Sequence, residues 1–97
     1  MAEKLENVKR TIAKHREELS TRFEVKEIGI FGSYARNKQK KGSDVDILVK
    51  FRKPVGWEFL DLKEFLERIL RKKVDLVTDQ AIRPAMRERI MREVVTV

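Results

Sequence analysis

The apolar positions of this chain change period several times. Leu5, Val8, Ile12, His15 and Leu19 recur at steps of three and four, which predicts an amphipathic helix over residues 3–21. His15 falls inside that seam and is remote in sequence from every other candidate residue, so a structural role is expected of it. Val25 to Phe31 is rich in β-branched residues and predicts a strand that stops at Gly32-Ser33. A helical turn over 34–37 leads into a basic loop, and residues 44–51 predict a second strand with Val45, Ile47 and Val49 on its buried face. Pro54 and Gly56 end that strand. Trp57 to Arg71 predicts a helix with Phe59, Leu62, Phe65, Leu66, Ile69 and Leu70 on one side. Trp57 and Leu60 project toward its charged side; Trp57 either folds back as a lid on the core or meets a partner. Lys73 to Thr78 predicts a third strand, with Asp75 and Val77 opposite Val74 and Leu76. Pro84 suits the first turn of a last helix that carries Met86, Ile90 and Val94 inward. Val94 to Val97 is too short to assign.

The order helix, strand, strand, helix, strand, helix predicts an α/β or α+β fold with a small mixed sheet. A chain of 97 residues fits one domain, 1–97, that buries about two thirds of its unfolded surface. No apolar run is long enough for a membrane span, and the N-terminus has no signal-peptide pattern. The absence of cysteine excludes disulfides and thiol chemistry and fits a cytoplasmic protein. A single histidine argues against most zinc sites. Charged residues make up 40% of the chain and the net charge is +7, which points to anionic ligands. Nucleic acid, nucleoside triphosphate and an acidic protein face all qualify.

Asp44 and Asp46 change that picture. Side chains two apart on a strand share a face, and two carboxylates about 5 Å apart repel by roughly 3 kcal/mol at an effective dielectric near 20. A divalent cation between them relieves the repulsion, and hard oxygen ligands with room for water and phosphate suit Mg²⁺. Gly32 and Ser33 open a turn whose backbone N–H groups could cradle phosphate oxygens; an ordinary turn glycine and a capping serine are the plainer readings. Asp75 is a third carboxylate, an acid among β-branched residues where acids are depleted. Asp79 reads as a turn or helix-start residue. Lys38, Lys40 and Lys41 read as solvated surface, whereas Arg36 could pair with a phosphate or with a carboxylate of the site.

Gly32-Ser33, ten residues and then Asp44-x-Asp46 resembles the signature of the DNA polymerase β-type nucleotidyltransferase superfamily. The fuller strings Phe31-Gly-Ser-Tyr-Ala-Arg36 and Gly42-Ser-Asp-Val-Asp-Ile-Leu-Val49 resemble its smallest branch, the minimal nucleotidyltransferases that are antitoxin partners of HEPN toxins. The resemblance covers essentially the whole chain. It implies a pared-down polymerase β-like palm with helices packed on one side and the acids exposed on the other. It further implies Asp44, Asp46 and Asp75 as catalytic residues holding two Mg²⁺ ions, with Gly32, Ser33, Arg36 and Ser43 binding the nucleotide. The substrate implied is ATP, and the acceptor is a hydroxyl of a cognate HEPN-type toxin silenced by adenylylation. Two other readings remain open at this point: a non-catalytic antitoxin that neutralises by binding, and a basic nucleic-acid-binding module. Weak nonspecific nucleic-acid binding is compatible with all three.

Overall fold

In the computed structural model, which describes residues 3–97, the leading amphipathic stretch is two helices rather than one. α1 spans Leu5–Lys14 and α2 spans Arg16–Phe23, with His15 between them at φ −107° and ψ 17°. The cause is local competition for one carbonyl. The His15 ring places Nδ1 2.9 Å from the Thr11 carbonyl oxygen, the acceptor its own backbone N–H would take in an unbroken helix. That N–H donates to the Ile12 carbonyl instead, at 3.0 Å. The ring then stands edge-on against Phe65, centroids 5.5 Å apart. His15 is structural, at the rim of the seam.

β1 (Val25–Phe31), a four-residue helix α3 (Gly32–Ala35) and β2 (Val45–Phe51) come next, so Asp44 lies one residue ahead of its strand rather than on it. α4 (Glu58–Leu70) connects β2 to β3 (Val74–Thr78), and a 3₁₀ turn (Asp79–Ala81) leads to α5 (Pro84–Glu93). Two further residues, Val95–Thr96, form β4. The sheet runs β3-β2-β1-β4. β1 is antiparallel to both its neighbours, and β2–β3 is parallel, as a strand pair joined through a crossover helix must be. The mixed sheet expected from the sequence is present. β4 is the element that periodicity missed: it pairs with Gly29 and Ile30 of β1.

Strand alternation splits the apolar residues between two faces. Ile28, Ile30, Val45, Ile47, Val49, Val74 and Leu76 meet α1, α2 and α4 through Val8, Ile12, Leu19, Leu62, Phe65 and Leu66. On the opposite face Leu48 packs with Ile82 and Ile90, joined by Phe31, Val77 and Val94. Three helices therefore cover one face, and α5 shares the other face with the acids. Gly29 makes room for that arrangement, since a Cβ there would come within 2.7 Å of Val94 Cγ2. Two apolar residues depart from expectation. Trp57 is 79% exposed, which excludes the lid, and Met86 faces solvent rather than the core. Trp57 stands before the first turn of α4, where the apolar stripe has not yet reached the sheet. Among the described residues, no helix is long and apolar enough to cross a membrane.

Candidate active site

The strand register brings two of the three expected acids together. Phe31 on β1 pairs with Asp46 on β2, and Asp46 pairs with Asp75 on β3, neighbouring strands being about 4.8 Å apart. Both carboxylates project from the face that α5 only partly covers. Asp44, before the strand, is exposed and joins the pair through its charge alone. Asp46 is pushed up from 3.8 to about 6, first by burial, then by the charge of Asp75, a hydrogen bond with it, and the charge of Asp44. Arg36 opposes the rise. A carboxyl in this condition shares a proton with its neighbour or takes a cation.

Gly32 is fitted against the same carboxyl. Its φ is +72°, and a Cβ at this position would lie 2.0 Å from Asp46 Oδ2. Glycine meets both demands, the left-handed backbone and the close approach.

The donors expected to meet phosphate are partly engaged. The Gly32 N–H donates to Glu93 Oε1 at 2.9 Å, and Arg36 Nη1 donates to both Glu93 oxygens at 3.1 Å. The partner of Arg36 is thus a carboxylate, though one from the end of α5 and not one of the three expected acids. Burial pushes the Glu93 carboxyl up, but the Gly32 N–H, the Arg36 hydrogen bond and the charges of Arg36 and Arg89 outweigh it and hold the group below its usual value. Ser43 Oγ accepts from the Lys40 N–H at 2.8 Å, while its own N–H donates to the Lys40 carbonyl at 2.9 Å. Its hydroxyl closes the basic loop. Ser33 sits in the first turn of α3, half-buried. Asp79 opens the 3₁₀ turn, and its carbonyl accepts from Arg87.

Sequence reasoning did not find Glu93. The signal available was its place: an acid in the last turn of a helix works against the macrodipole by about 0.3–1 kcal/mol, so some other interaction must favour it there. Among the described residues, no group of three or more His, Cys, Asp or Glu side chains converges closely enough to hold a metal by itself. Two carboxylates do fit Mg²⁺, which keeps waters and takes substrate phosphate oxygens in place of an all-protein cage.

The sequence pattern of the nucleotidyltransferase domain family matches residues 12–97. Protein adenylyltransferase MntA of Thermococcus cleftensis is 44% identical over 94 residues, covering 96% of this chain and 95% of the relative. A solved structure described as a minimal nucleotidyltransferase is similar at TM-score 0.82 and 30% identity, over 98% of this chain and 97% of that one. The complex of tri-AMPylated Shewanella oneidensis HEPN toxin with MNT antitoxin shares the fold at TM-score 0.68 and 19% identity, over 95% of this chain and 70% of that one.

Proposed function

The chain belongs to the nucleotidyltransferase domain family, and from that premise we propose that it moves an adenylyl group from ATP to a hydroxyl of a HEPN-type toxin, thereby acting as an antitoxin. The observation that carries the proposal is the pairing of Asp46 with Asp75 in register across β2 and β3, with Gly32 pressed against Asp46. It puts a cation-seeking carboxylate pair at the mouth of a glycine-serine turn. The relative named MntA supports the adenylyl donor, and the Shewanella oneidensis complex, with AMP on its toxin, supports the acceptor class.

Asp46 and Asp75, with Asp44 one residue ahead of β2, would hold Mg²⁺. When bound, that ion neutralises the triphosphate and acidifies the acceptor hydroxyl. The residues of the chain do the rest. Ser33, through its N–H and hydroxyl, would bind the leaving β,γ-phosphates, and those fixed dipoles would stabilise the developing charge. Gly32 gives this turn its close approach to Asp46. Arg36 would add a planar cation to the phosphates, and Ser43 would hold the basic loop beside them. Asp75 would accept the hydroxyl proton as the oxygen attacks the α-phosphorus and pyrophosphate departs.

Incubation with labelled ATP, Mg²⁺ and a HEPN-type protein encoded beside it tests the proposal. Wild type should transfer label to that protein, and Asp44→Asn with Asp46→Asn should not. Neutralisation of the toxin by the double variant, with no label transferred, would replace catalysis with stoichiometric binding.

A further inference from the structure

We infer that Glu93 is a positioning residue of the nucleotide site: from the end of α5 its carboxylate fixes the Gly32 peptide and one nitrogen of Arg36, so that the rest of the guanidinium is presented to the triphosphate. The inference rests on the nucleotidyl-transfer reading above.

One anion serves two donors here, the Gly32 N–H at 2.9 Å and Arg36 Nη1 at 3.1 Å. Those donors belong to the turn that opens beside the acids, four residues apart. Glu93 is enclosed, its side chain only 15% exposed, whereas Arg36 is 47% exposed. Among the described residues only Nη1 of Arg36 is engaged, which leaves the Nη2 and Nε hydrogens for a ligand. The guanidinium also lies near enough to Asp46 for its charge to be felt there. Arg36 is therefore tied to a fixed carboxylate while its charge reaches the acid site.

Gly32 is gripped from two sides. Its N–H is tied to Glu93, and its Cα faces Asp46 so closely that no Cβ fits. Turning the Gly32 peptide would break the first contact or collide with the second. Glu93 itself is anchored by the three residues after it, for Val94 is wedged over Gly29 and β4 pairs with β1. A triphosphate that had to expel Glu93 would have to break its contacts with the Gly32 N–H and Arg36 Nη1 and swing the carboxylate out of a site where it is only 15% exposed. The enclosed geometry favours a permanent brace over a placeholder, and the two make opposite predictions for affinity.

The test is a calorimetric titration of the full chain with ATP and Mg²⁺, below the melting point of each variant, for wild type, Glu93→Ala, Glu93→Gln, Arg36→Ala and the Glu93→Ala/Arg36→Ala double. Glu93→Ala should weaken binding about tenfold, the scale of one charged hydrogen bond. Glu93→Gln should recover part of that loss, because an amide oxygen still accepts from Gly32. The double variant should lose less than the two single losses combined, since Glu93 acts in part through Arg36 and in part through the Gly32 peptide. Equal affinity in wild type and both Glu93 variants, even with lowered melting points, would reduce Glu93 to a structural tie. Tighter binding by Glu93→Gln would make it a competitor of the nucleotide and overturn the inference. If the alanine variant does not fold, the glutamine variant decides by the same criteria. A wild type that binds no ATP would sink the nucleotide reading as well, which separates that failure from failure of the Glu93 assignment alone.

Discussion

Asp46→Asn should make the metal-free protein more stable at neutral pH. The Asp46 carboxyl rises from 3.8 to about 6 on folding. The folded state therefore binds the proton more tightly than the unfolded chain, and stability falls as pH climbs through that interval. Full conversion at about 1.4 kcal/mol per pH unit gives about 3 kcal/mol. Water screens a carboxyl that is only half-buried, so about 1–2 kcal/mol is the reasonable magnitude at pH 7. At about 4–8 °C for each kcal/mol in a domain of this size, the variant should melt roughly 5–15 °C higher. Thermal melts in chelator, at about pH 8 and about pH 3.5, provide the assay. The two proteins should differ at the higher pH and converge at the lower, where Asp46 is protonated and resembles asparagine. The comparison must be a difference, because Glu93 acts with the opposite sign. Its carboxyl is held low, so its stabilisation is complete above the ordinary glutamate range and disappears as pH falls through the lowered value. Equal melting at neutral pH, or a gap that persists at the acid end, would refute the idea that Asp46 is held ionised against its preference.

Gly32→Ala should cost at least about 1–2 kcal/mol from the left-handed backbone alone, and less when combined with Asp46→Ala, which removes the colliding oxygen; additive losses in a denaturant series would count against the contact. ATP with Mg²⁺ at about 100 times Kd should stabilise wild type by about 2.7 kcal/mol and leave the Asp44→Asn/Asp46→Asn protein unmoved, as read by a thermal shift. Asp75→Asn should lower turnover far more than ATP affinity, and equal losses would remove it from the proton-accepting role. Trp57→Ala should change stability by no more than about 0.5 kcal/mol because its ring is in solvent; a loss above about 2 kcal/mol would restore it to the core. Duplex DNA should bind weakly and be released steeply between about 50 and 200 mM salt, and tight binding at the higher salt would favour the nucleic-acid reading.

Legibility in the sequence followed the range of the interactions. β1, β2 and β3 were readable within a residue because alternating burial repeats along each strand, and the same parity set Asp46 and Asp75 each opposite the apolar residues of its own strand; that the two strands lie side by side came from the register. The break at His15 was not readable, since the helical pattern continues across it and only the ring's bond to Thr11 interrupts the backbone ladder. β4 was invisible because two residues carry no period; it pairs where Val97 N–H also reaches the Ile28 carbonyl. Asp44 was expected on the strand and lies just before it, where the chain is still leaving the basic loop. Glu93 was beyond reach for a different reason. Its partner Gly32 is 61 residues away, and nothing local to α5 announces which distant donor an acid at its end will meet.

The position of β3 at the edge of the sheet has a consequence for self-association. An outer strand offers unpaired backbone groups to any second strand, and a charge on such a strand is a common means of discouraging that contact. Val74-Asp-Leu-Val-Thr78 carries one charged residue, Asp75, and it is exposed. The carboxylate proposed for the chemistry would also discourage this apolar edge from templating a neighbour. Replacing it with valine would leave a five-residue run of high β-propensity and no charge. Light scattering should then rise with protein concentration for Asp75→Val, less for Asp75→Asn, and not for wild type. An acid at this edge would guard against strand pairing independently of its proposed part in the chemistry.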